Sequence, residues 1–288
     1  MIEQTFIHIS DTHLTPSGSQ PSFNQEIDPY LKLQLVFDDI KKMDNKPSYA
    51  VITGDLIHEG QASDYVNFKK IIARQEEELQ MPIFVILGNH DRTEAFYNGY
   101  LSETVKEKYY YKQQINGVDN YFLDTTFENL EQGYLDQQQL AWLSKSLQTS
   151  PETPALIFIH HPVFGSSLEN MKFSILQNGS ELIRACQKGN VKGIFSGHIH
   201  FSTTYLTGTI LNFVSDSTAY HIDCRKHHQH FVSDIIGYNI ISMSTEAEIS
   251  VENRYLYCGQ KIVKNLDVGS TGFVESSIFD TNSVNISH

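Results

Sequence analysis

The sequence predicts an α/β fold, and two observations carry that expectation. Short apolar, β-branched runs alternate with stretches of helical period from residue 5 to residue 200, which is the signature of the α/β class. Each of these runs is also followed directly by an Asp-, Asn- or His-bearing motif, as strands leaving the carboxyl edge of an α/β sheet often are.

In chain order the runs are FIHIS, YAVIT, IFVIL, ALIFI and VKGIF. Bounded by Gly, Pro or Asp, they read as buried strands. Helical period fills the gaps. PYLKLQLVFDDIKKM sets Leu33, Phe37 and Ile40 on one face, with Leu31 and Leu35 on its flank. DYVNFKKIIARQEEELQ aligns Tyr65, Phe68, Ile72 and Leu79, and DQQQLAWLSKSLQ aligns Leu140, Leu143 and Leu147. Stripes of this kind are core. After residue 200 short apolar pieces alternate with polar turns and read as antiparallel hairpins that extend the second sheet or form a cap. The expected division is a catalytic domain over 1–222, a β-hairpin extension or cap over 223–264 and a polar tail over 265–288, the tail being free or strapped across a neighbouring subunit.

Composition narrows the function. A chain of 288 residues with 40% hydrophobic content can build one large core. Its formal net charge of -13 argues against tracking a nucleic-acid backbone, which calls for a basic face. Cys186, Cys224 and Cys258 lack C-x-x-C spacing, so neither a disulfide framework nor a thiolate metal site is expected. MIEQTFIHIS enters its first strand without a basic or long apolar leader, and no stretch is apolar enough to span a bilayer. The reading is a soluble, cytoplasmic protein without membrane contact. The run from Arg225 to His230 reads as a solvated loop rather than a further metal site.

The motifs carry the chemistry. Asp11-Thr12-His13, Gly54-Asp55, Gly88-Asn89-His90-Asp91, His160-His161-Pro162 and Gly197-His198-Ile199-His200 follow the five runs in order. One sheet edge should therefore gather Asp, Asn and His side chains in enough number for two metal ions. In this order and completeness the motifs resemble the calcineurin-like metallophosphoesterase superfamily, whose pattern is D-x-H, G-D, G-N-H-[DE], H and G-H-x-H. The resemblance implies a four-layer αββα sandwich of two mixed sheets flanked by helices. It also implies two divalent or trivalent ions, with Fe, Mn, Zn or Co all suited to nitrogen and oxygen ligands. One ion would take Asp11, His13, Asp55 and His200. The other would take Asp55, Asn89, His160 and His198, with Asp55 as the bridge because its two oxygens can each hold one ion. Two divalent ions, two carboxylates and a bridging hydroxide leave about one net positive charge, which suits a singly charged phosphodiester.

His90 neighbours a ligand but belongs to neither ion, so it is the expected proton donor to a leaving alkoxide. Asp91 is expected to accept from its ring, to cap the helix that begins at TEAFYNGYL, or both. His161 either orients a ligand or touches substrate, and Asn89 is a substrate contact as well as a ligand. Arg92 reads as a solvated helix-start residue, with contact to phosphate as the alternative. Ser/Thr protein phosphatases carry an Asp-Arg pair where His58 and Glu59 stand. A carboxylate in place of that Arg should repel a dianionic monoester. The nearer likeness is to the class III cyclic-nucleotide phosphodiesterase and glycerophosphodiesterase group, with Val163 replacing the second Pro after the paired His. The expected activity is hydrolysis of a small phosphodiester by a metal-bound hydroxide, in a chain able to form a homodimer through its C-terminal region. The alternatives are a nuclease of the same superfamily or a non-enzymatic scaffold. Around the edge, Phe164, Asn170, Met171, Phe201, Tyr220 and His221 either line the pocket or pack in the core.

Overall fold

The computed structural model describes residues 2–128, 130–246 and 248–267. Two six-stranded mixed sheets lie face to face. The first contains β1 (Ile2–Ile9), β2 (Tyr49–Thr53), β3 (Ile83–Ile86), β10 (His221–Lys226), β11 (Gln229–Ser244) and β12 (Ile249–Asp267), in the order β10-β11-β1-β2-β3 with β12 paired to β11. The second contains β4 (Tyr111–Ile115), β5 (Val118–Phe122), β6 (Pro154–Phe158), β7 (Asn190–Ser196), β8 (Thr203–Thr207) and β9 (Ile210–Val214), in the order β4-β5-β6-β7-β9-β8. In the first sheet the three strands that lead into motifs, β1, β2 and β3, run parallel; in the second the two that do, β6 and β7, run parallel to each other and to their neighbours β5 and β9.

Strand alternation builds the layers. On β1 and β2, Phe6, Tyr49 and Val51 face the second sheet, while Ile7, Ile9, Ala50 and Ile52 face the helices. Across the second sheet Phe122, Phe158, Phe195 and Phe213 occupy successive register positions and stack with ring centroids 5.0–5.3 Å apart. Phe6 meets Phe195 edge-on at 5.4 Å. This aromatic seam is the inner core, and at its carboxyl edge the two sheets present their loops to each other.

Helices α1 (Pro29–Ile40) and α2 (Ala62–Leu79) cover the first sheet; α4 (Gln137–Thr149) and α5 (Gly179–Cys186) cover the second. Asp28 caps α1 by accepting from the Tyr30 N–H, and Asp136 caps α4 by accepting from Gln139. The expected stripes are buried, but Leu31 and Leu35 on the α1 flank are 61% and 45% exposed. A short helix, α3 (Thr93–Phe96), follows the third motif, and its cap position is Arg92 without a side-chain cap. Asp91 is therefore not the cap that the sequence suggested.

The C-terminal strands differ from expectation in placement. β8 and β9 extend the second sheet, but β10, β11 and β12 join the first, with β11 lying between β1 and β12. The register pairs Phe6 with Ile241 and Ile7 with Ile240. Residues 268–288, most of the expected polar tail, lie outside the described residues. Among the described residues no helix is long and apolar enough to cross a membrane.

Candidate metal centre

Tight backbone turns deliver the side chains. The Asp11 N–H donates to the Gly54 carbonyl at 3.1 Å and the His13 N–H to the Asp55 carbonyl at 2.8 Å, tying the turn after β1 to that after β2. Asp11, His13, Asp55, His198 and His200 all have φ between 37° and 72°. Backbone strain of this kind gathers at functional sites, and here it aims the side chains at one point. The motif glycines permit the close approach. A Cβ on Gly88 would collide with the Asp55 carboxylate, and one on Gly197 with Ser10 and Asp11.

Two donor clusters result. In the first, His13 Nε2 lies 3.3 Å from Asp55 Oδ2 and 3.1 Å from His200 Nε2, and His200 Nε2 lies 3.4 Å from Asp11 Oδ1. In the second, His160 Nε2 lies 3.4 Å from Asp55 Oδ2, 3.1 Å from Asn89 Oδ1 and 3.2 Å from His198 Nδ1. All these residues are buried. Asp55 Oδ2 faces both clusters, whereas Oδ1 accepts the His90 N–H at 2.9 Å. Asp55 thus presents one oxygen toward both clusters and the other toward the backbone of the turn after β3.

The donor set fits cations. His200 Nδ1 donates to the Tyr220 carbonyl and His160 Nδ1 to the Thr53 carbonyl, each at 2.7 Å. In the neutral rings Nε2 then carries a lone pair, and it points at other lone pairs across 3.1–3.4 Å. Such convergence is repulsive unless a positive charge, a proton or a metal ion, lies between. Asp11 Oδ1 is buried and, among the described residues, lacks a hydrogen-bond partner of good geometry. Burial alone would raise both carboxylates. The neighbouring histidines, His160 foremost for Asp55 and His200 for Asp11, hold them below the usual range, Asp55 well below. Burial opposes charge on His160 too, yet the Asp55 carboxylate raises it to about 9.

The surrounding residues fall out as follows. The His90 ring makes no hydrogen bond among the described residues, and it stands edge-on to His13 with centroids 5.1 Å apart. Asp91 does not partner it. Its two oxygens accept from the Leu56, Ile57 and Gly88 N–H groups at 2.9–3.2 Å and from the Tyr65 hydroxyl at 2.7 Å. The Asp91 carboxylate holds the turns that carry Asp55 and Asn89. His161 is fully buried, with Nδ1 2.8 Å from Thr125 Oγ1 and its ring 4.4 Å from that of His198. That burial favours orienting a ligand over touching substrate. The Asn89 amide nitrogen donates to Glu131 Oε2 at 3.4 Å. Arg92 is not simply solvated, because its guanidinium sits 2.7 Å from Glu59 Oε1. The Glu59 carboxylate is therefore ion-paired, and its repulsion of a dianion is weaker than the sequence suggested.

Two residues near the centre gave no clear sequence signal. His58 lies beside His13 and His90, and Glu131 beside Asn89 and His198. His58 was noted only as a departure from the protein phosphatases, and Glu131 belongs to no motif. Tyr220 is buried and packs on the candidate ligand His200, with ring centroids 4.3 Å apart. Asn170, Met171, Phe201 and His221 line a cavity of about 300 Å³.

Fold and site together define a metal-dependent phosphoesterase. The chain belongs to the calcineurin-like phosphoesterase family, whose sequence model matches residues 4–202. It is 26% identical over 223 residues to a "Probable cyclic nucleotide phosphodiesterase" of Rhodococcus erythropolis, covering 74% of this chain and 70% of that protein. It is 28% identical over 235 residues to a "Probable glycerophosphodiester phosphodiesterase" of Arcobacter nitrofigilis, covering 76% and 81%. A solved dimetal phosphatase from Danio rerio superposes with a TM-score of 0.58 at 12% identity, over 87% of this chain and 99% of that one, which confirms the fold.

Proposed function

We propose that this protein is a binuclear metal-dependent phosphodiesterase that hydrolyses a small diester, either a 3′,5′-cyclic nucleotide or a glycerophosphodiester. The observation that carries the reading is the single Asp55 oxygen shared by two clusters of buried nitrogen and oxygen donors. Asp11, His13, Asp55 and His200 would hold one ion; Asp55, Asn89, His160 and His198 would hold the other. Fe, Mn, Zn and Co all suit these donors. When bound, such ions polarise the phosphoryl oxygens and make water a nucleophile at neutral pH. The diester preference is supported by the names of the relatives and by the absence of an unpaired arginine at Glu59, where a monoester dianion would need one.

The chain's own residues supply position and protons. The His90 imidazole, which makes no hydrogen bond among the described residues, donates a proton to the departing alkoxide. Asp91 fixes the two turns, and His161 sets the orientation of His198. A cavity of about 390 Å³ beside Asn89, lined in part by Thr126, Phe127 and Tyr134, is large enough for the alcohol part of a small diester.

Hydrolysis of bis(p-nitrophenyl) phosphate against p-nitrophenyl phosphate, with manganese-reconstituted protein, tests the reading. The diester should be preferred, and Asp55→Asn should lower its turnover on the order of a hundredfold, as loss of one charge-stabilising group does. Monoester preference would overturn the diester reading, and cleavage of single-stranded DNA at a comparable rate would move the protein to the nucleases.

A further inference from the structure

His13 turns its two nitrogens in opposite directions. Nε2 faces Asp55 Oδ2 and His200 Nε2, while Nδ1 lies 3.2 Å from Nδ1 of His58. An imidazole that gives its Nε2 lone pair to a cation keeps its proton on Nδ1. That proton then points at His58, so His58 Nδ1 must accept and the His58 proton must sit on Nε2. The outer partner of a metal-binding histidine is ordinarily a carboxylate, a backbone carbonyl or water. His200 and His160 follow that rule through Tyr220 and Thr53. His13 departs from it, because its partner is another imidazole.

His58 also has a face, and that face lies on His90. Their ring centroids are 4.4 Å apart with the planes 23° from parallel. Nothing else hydrogen-bonds the His90 ring among the described residues. One half-buried ring therefore joins a candidate ligand through its edge to the candidate proton donor through its plane. The two tasks use different parts of the side chain and can be separated by substitution.

We propose that His58 is a positioning residue with two roles. Its Nδ1 fixes the tautomer of His13 for metal binding, and its ring face orients the His90 imidazole toward the leaving group. The proposal rests on the metal-site reading above. His58→Phe keeps a stacking ring and removes the acceptor. His58→Asn keeps an acceptor at comparable reach and removes the ring.

Calorimetric titration of metal-stripped protein with manganese, paired with turnover on good and poor leaving groups, tests both roles. His58→Phe should weaken one of the two manganese sites about ten- to a hundredfold, with the other unchanged. His58→Asn should bind both ions near wild-type strength, yet lose more turnover on an alkyl aryl diester at its alkyl ester than on bis(p-nitrophenyl) phosphate. Unaltered manganese affinity in His58→Phe would overturn the first role. Equal losses on both leaving groups in His58→Asn would overturn the second. Wild-type protein that binds no manganese would overturn the underlying metal site, an outcome distinct from either.

Discussion

A methyl group on Gly197 would enter the space held by the Ser10 hydroxyl and the Asp11 carboxylate. Gly197→Ala should therefore destabilise the protein by about 1–3 kcal/mol, as overpacking does, and should weaken manganese binding by displacing Asp11. Urea unfolding and a manganese titration check the two effects, and a variant unchanged in both would show that the turn has room. The clustering of the motif histidines and aspartates at one sheet edge was legible in the sequence because residue type, spacing and the preceding apolar run all pointed the same way. The role of Asp91 was not legible. Its partners at Leu56, Ile57, Gly88 and Tyr65 come from three separate segments, and no local pattern encodes a carboxylate that binds backbone so far away in sequence. Glu131 and the Glu59–Arg92 pair escaped for the same reason.

At the scale of an element, α1 shows why a hydrophobic stripe does not settle a helix's contacts. Leu31 and Leu35 face solvent, whereas Lys32 is fully buried. Its ammonium donates to Gln25 Oε1 at 2.7 Å, to the Ala219 carbonyl at 2.5 Å and to Asp234 Oδ1 at 2.6 Å. Satisfied in this way, the buried charge ties α1 to β11 and to the loop whose next residue, Tyr220, accepts from His200. Lys32→Met leaves Asp234 buried without its cation and should cost about 3–5 kcal/mol. The double variant Lys32→Met with Asp234→Leu should recover most of that loss in thermal melts. Additive losses instead would mean that the two residues do not act as a pair. Sequence periodicity could not find this arrangement, since a lysine on an amphipathic helix ordinarily reaches for water.

For the whole molecule, the candidate ligands come from both sheets. Asp11, His13, Asp55 and Asn89 follow β1, β2 and β3, while His160, His198 and His200 follow β6 and β7. Ions at this centre would link the two sheets at one end of the aromatic seam, and ligands that bind only the folded state stabilise it by mass action. Manganese at a hundred times its dissociation constant should add about 2.7 kcal/mol, seen as a melting point several degrees above that of the EDTA-treated protein. Identical melts would show that the ions do not join the sheets. The α/β class and the helix positions were readable from period alone. The sheet that receives the C-terminal strands was not, because pairing β1 with β11 joins residues more than two hundred apart and leaves no local trace.

That pairing has a consequence for the order in which the protein comes into being. The second sheet is drawn from one continuous span of chain, but the first combines strands from before and after that span, with β11 laid along β1. A nascent chain exposes Asp11 and His13 before β11 is made, and the strand that presents them stays at a sheet edge until residues beyond 229 have been synthesised. A chain that stalls before β11 therefore carries every motif of the centre on a sheet that has not closed.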